Sequence, residues 1–137
     1  MLVALACLAS MLTISWLQSN GAVQVVREQA EAIREGRVEK AYELLSSEYR
    51  EGMSLAMFRR WLRRQDHLSD MQELRIWGRL VSRGTATLWG SFDDDLGHSY
   101  PVRYILIRED GDWRIDSFQL RGVAPESLPN TQRFHYI

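Results

Sequence analysis

The spacing of apolar residues changes once along this chain, from a repeat of 3.6 to a repeat of 2, and that switch constrains the fold more than any other feature. Val23, Val26, Ala30 and Ile33 recur at helical spacing, with Arg27, Glu28, Glu31 and Arg34 between them. Gly36 is a natural stop, and a second stripe of Val38, Ala41, Tyr42, Leu45 and Tyr49 predicts a further helix. Ser54 is a suitable N-cap for a third, with Leu55, Phe58 and Leu62 on its inner face. Beyond it Leu74, Ile76, Gly78 and Leu80 alternate with Arg75, Trp77, Arg79 and Val81. Arg83-Gly84 predicts a turn, after which Ala86, Leu88, Gly90 and Phe92 share one side of a strand. Val102, Tyr104 and Leu106 follow, and Asp110-Gly111 marks a tight hairpin into Trp113 and Ile115. Helices first and antiparallel strands afterwards define an α+β domain, with two to three helices on a curved sheet of about four strands.

Residues 1–20 form a separate segment. No charged residue occurs from Met1 to Leu17, and Leu2, Leu5, Leu8, Leu12 and Trp16 give it an apolar surface. A helix of that length reaches about 26 Å, close to the hydrocarbon thickness of a bilayer. A cleaved signal peptide requires a basic start, which is missing, although Ser19-Asn20-Gly21 resembles a cleavage site. A lipoprotein requires a leucine three residues before Cys7, where Ala4 stands instead. A retained single-pass anchor requires only the apolar length, and Trp16 suits the interface. The expectation is a bacterial inner-membrane anchor in contact with lipid, with the domain on the exported, periplasmic side. Residues 21–122 form the domain, and 123–137 an extended tail carrying Phe134 and Tyr136.

The stretch Gly36-Arg37-Val38-Glu39-Lys40-Ala41-Tyr42-Glu43-Leu44-Leu45, the Ser54-Leu55 and Phe58 of the third helix, and Asp110-Gly111-Asp112-Trp113-Arg114-Ile115 resemble the nuclear transport factor 2-like superfamily. The resemblance covers about Val23 to Gly122 and is carried by fold signals. It implies a sheet wrapped around the helices, with a pocket inside that holds a catalytic site, a ligand or only packed side chains. Enzymes of the superfamily place an aspartate or histidine inside the cone. The inward set expected here is Leu74, Ile76, Leu80, Ala86, Leu88, Phe92, Val102, Tyr104, Leu106, Trp113 and Ile115, with no acid or imidazole among them. Asp116 has the opposite parity.

Chemistry is therefore sparse. Tyr42, Tyr49, Leu88, Tyr104 and Trp113 are the candidate pocket residues, and core packing accounts for the tyrosines equally well. His67, His98 and His135 have no zinc spacing, Asp93-Asp94-Asp95 reads as a solvated hairpin, and no cofactor or metal is expected. Cys7 is the single cysteine, so no disulfide forms within the chain. A net charge of −1 speaks against nucleic acid. Arg59, Arg60, Arg63 and Arg64 lie on one broad helical face and are the candidate contacts to anionic lipid or an acidic partner. A non-catalytic, membrane-tethered interaction module or accessory subunit is expected, with a protein partner or a second copy. A pocket binder of an apolar small molecule is the alternative, and a small isomerase- or dehydratase-like enzyme a third.

Overall fold

The computed structural model describes residues 20–65, Leu68 and 70–120. Helix α1 spans residues 20–34 and is followed by α2 (Val38–Glu43), α3 (Ser47–Gly52) and α4 (Leu55–Arg63). Strands β1 (Met71–Ser82), β2 (Thr85–Asp94), β3 (Ser99–Glu109) and β4 (Asp112–Leu120) form an antiparallel meander in the order β1-β2-β3-β4. Four helices on one four-stranded sheet is the expected α+β arrangement with one helix more than predicted. The expected anchor at residues 1–20 lies, except for Asn20, outside the described residues, as do the tail and His67. Among the described residues no helix is long and apolar enough to cross a membrane.

Helix α1 ends where Gly36 adopts φ +71°, which lets the Arg37 N–H reach back to the Ala32 carbonyl at 2.8 Å. Its buried residues are Ala22, Val26, Gln29 and Ala32, whereas Val23, Ala30 and Ile33 are half-buried. The helix is thus rotated from the expected stripe so that Ala22, Val26, Gln29 and Ala32 lie deepest.

The single helix expected from Val38 to Tyr49 is divided in two. Leu45 forms a parallel bridge to Ile115 of β4; the Ile115 N–H donates to the Leu44 carbonyl at 2.9 Å, and the Ser46 N–H donates to the Ile115 carbonyl at 2.8 Å. Ser46 then restarts the helix, its hydroxyl accepting the Tyr49 N–H at 3.1 Å. The outward N–H and carbonyl of Ile115 on the edge strand are thereby satisfied by the short Leu44–Ser46 connection, which outweighs continuing the helix.

Both hairpin turns form as predicted. Arg83 and Gly84 have φ of 48° and 77°, and Asp110 and Gly111 have 50° and 87°, the doubly left-handed geometry that matches strand twist.

The pairing departs from simple alternation at three places, between Ile76 and Gly78 and between Met71 and Glu73 in β1, and at Asp116 in β4. In β1 the register slips between Ile76 and Gly78, so that Leu74 faces Phe92 while Arg79, Leu80 and Val81 face Leu88, Thr87 and Ala86. Leu80, expected inside, is consequently 59% exposed, and Val81 packs on the core in its place. In β4 a slip at Asp116 brings Phe118 opposite Tyr104, so the inner face runs Trp113, Ile115, Phe118. Bulges on both edge strands bend the sheet around the helices. Gly90 opposes Ile76 beside the first slip, and a Cβ there would overlap the Arg75 carbonyl oxygen.

Candidate functional site

The interior of the curved sheet is filled by stacked aromatic rings. Phe118 packs against Tyr104, Tyr49 and Trp61 with ring centroids 5.8, 6.4 and 5.1 Å away, the last edge-on. Trp61 stacks on Phe58 at 6.1 Å, and Phe58 meets Tyr42 at 5.7 Å. The Tyr42 hydroxyl donates to the Met53 carbonyl at 2.8 Å and is thereby committed to the backbone between α3 and α4. Three expected pocket residues, Tyr42, Tyr49 and Tyr104, are thus brought together, with Leu88 paired across to Tyr104. Trp113 lies elsewhere, near the β3–β4 turn, with Arg108 over its ring at 4.7 Å and Gly21 of α1 close to its edge.

Burial pushes the Tyr49 hydroxyl up to about 12 and raises that of Tyr104 further. Both remain protonated at neutral pH. The buried polar residues among those described are Gln29, Ser46, Gln65, Ser91 and Ser117, none of them an acid or a base. Asp116 sits in the β4 bulge, where it accepts the Ser46 hydroxyl at 2.7 Å.

Two elements of the candidate chemistry were invisible to alternation. Phe118, the hub of the aromatic cluster, follows the β4 slip. Trp61 is buried on α4 beside Phe58, while Leu55 and Leu62 are only half-buried. A window of helical spacing that admitted position 61 beside 58 would have found it.

The arginines of α4 are all exposed. Arg59 forms an ion pair with Glu39 of α2. Among the described residues, the guanidiniums of Arg60, Arg63 and Arg64 have no hydrogen-bond or ion-pair partner. Beside this helix lies a cleft of about 460 Å³ lined by Ile33, Val38, Leu62 and Leu68, with Arg59 and Arg63 among its walls. Gln65 also faces it.

The opposite face of the sheet carries a cleft of about 420 Å³ between Trp77, Trp89, Pro101, Arg103 and Gln119. Trp77 is 70% exposed, and the missing side chain of Gly78 lets the Trp89 ring lie across β1. At the β2–β3 turn the expected solvated hairpin is organised by one carboxylate. Asp94 accepts the N–H groups of Leu96 and His98 at 3.0 and 2.8 Å, and its second oxygen lies 2.9 Å from the His98 ring. Desolvation alone would raise this carboxyl, but the His98 and Leu96 contacts outweigh it and hold it below its ordinary value. No group of metal-ligating side chains occurs among the described residues.

Residues 17–127 match the family model described as "Domain of unknown function (DUF4864)". Among solved structures, a protein designated Rd1NTF2_05, carrying five substitutions, is similar at 12% identity and a TM-score of 0.54, covering 72% of this chain and 95% of its own. A SEC-C motif containing protein from Rhodopseudomonas palustris is similar at 19% identity and a TM-score of 0.54, covering 69% of this chain and 74% of its own. At these identities the likeness concerns the fold, and that fold is nuclear transport factor 2-like. No curated protein matches the chain.

Proposed function

This chain belongs to the DUF4864 family, and from that premise we propose that it is a non-catalytic accessory domain, tethered at the bacterial inner membrane by residues 1–20 and docking on an acidic partner protein through α4. The observation that carries the reading is the charge on that helix. Arg60 and Arg64 lie one turn apart on the same face, and neither has an acid partner among the described residues. A merely solvated face would distribute its cations among local carboxylates, as Arg59 does with Glu39. The filled interior supports the same reading, because the space an enzyme of this fold would use is occupied by Tyr49, Tyr104, Trp61 and Phe118. The exported side is the proposed location of the domain, and the tail with Phe134 and Tyr136 a proposed second contact.

The test is the native mass of the chain, C-terminally tagged and solubilised from its own membranes, with mass spectrometry of the purified assembly. A stoichiometric partner that is lost in Arg60→Gln/Arg64→Gln is the expected result. A free monomer or dimer in both proteins would sink the proposal.

A further inference from the structure

We propose that the cleft between α1, α2 and α4 binds a single-chain amphiphile with an anionic head, a long-chain carboxylate. Its apolar walls come from separate positions along the chain, Ile33 on α1, Val38 on α2, Leu62 on α4 and Leu68 beyond it. The volume of about 460 Å³ falls in the range of roughly 300–1,000 Å³ that accommodates small ligands. Arg59 and Arg63, one helical turn apart, supply the charge. Arg59 already faces Glu39, so among the described residues two guanidiniums and one carboxylate leave one net positive charge at the cleft. That balance matches a monoanionic carboxylate head.

The two halves of the site exclude simpler ligands. A small inorganic anion would leave the aliphatic walls uncovered and lose its own hydration against them. A neutral hydrocarbon would cover the walls but strip water from the Arg63 guanidinium without replacing it. An amphiphile satisfies both, its chain along Ile33, Val38, Leu62 and Leu68 and its head between the arginines. This site is separate from the proposed partner face. Arg60 and Arg64 are displaced from Arg59 and Arg63 by about 100° around the helix axis, so the two sets can be substituted independently.

The experiment uses the full chain in phosphatidylcholine vesicles with a photoreactive long-chain fatty acid, followed by peptide mapping. Label is expected on the α1 and α4 peptides, displaced by dodecanoate but not by dodecanol at equal concentration. Arg59→Gln/Arg63→Gln is expected to lower that label about tenfold, the loss of a charge-assisted contact. Arg59→Lys/Arg63→Lys should keep most of it, and Arg60→Gln/Arg64→Gln all of it. Melting temperatures of the variants check that each is folded. Undiminished label in Arg59→Gln/Arg63→Gln, equal competition by dodecanol, or label confined to residues 1–19 and the tail would overturn the assignment, whatever the outcome for the partner protein.

Discussion

Two residues carry more of this architecture than their size suggests. Ser46 caps α3 through the Tyr49 N–H and donates to Asp116 in the β4 bulge. Ser46→Ala removes both contacts and is expected to cost about 1–2 kcal/mol, read as a lowered denaturation midpoint. Ser46→Thr retains the hydroxyl and should recover most of that loss. Gly90 is constrained by proximity, since any Cβ must displace the Arg75 carbonyl of the neighbouring strand. Gly90→Ala should therefore destabilise by about 2 kcal/mol or more, although alanine is favoured over glycine in most extended chain. A melting temperature equal to wild type would show that β1 can move away from β2 without penalty. Phe118→Ala removes the ring shared by three aromatic partners, with an expected loss of about 3–5 kcal/mol.

At the scale of elements, what was legible in the sequence had local causes. Ser54 caps α4 as expected, Gly36 ends α1, and both two-residue turns follow from glycine in the left-handed region. The bulges were not legible, because their cause lies in the partner strand. Leu80 and Val81 are both apolar, so the sequence between Ile76 and Ser82 reads equally well in either parity, and only the pairing with β2 chooses Val81. The break at Leu44–Ser46 was hidden for the same reason: its driving force is the edge of β4, seventy residues away in sequence. The α4 arginines were visible from spacing, but the cleft beside them was not, since its walls come from four separate positions. The β2–β3 turn yields a pH prediction. A lowered carboxyl contributes stability that is fully present above its unfolded value, about 3.9, and is lost as pH falls through the lower folded value. The difference in melting temperature between wild type and Asp94→Asn should thus persist down to about pH 4, shrink as pH falls further, and vanish only below the lowered folded value. A difference unchanged at low pH would place the effect in hydrogen bonding that asparagine cannot reproduce.

For the molecule as a whole, the distribution of work between its faces matters most. The inner face is used up in aromatic packing, which leaves the helix side and the outer sheet face to meet other molecules. Charge on α4 makes its contacts sensitive to ionic strength, and partner capture through Arg60 and Arg64 should fall steeply between low and physiological salt. Capture unaffected by salt would move attention to the apolar outer face around Trp77 and Trp89. The short bridge from Leu45 to Ile115 has a further consequence, for how copies of the chain can add to one another. A sheet grows without limit only when each new strand leaves a fresh edge behind it, and here the middle of β4 is already occupied by the chain's own backbone. Among the described residues, association through β1 would join two like edges about a twofold axis while the β4 edge stays interrupted at Ile115, which favours closing at a dimer over propagating into a fibre.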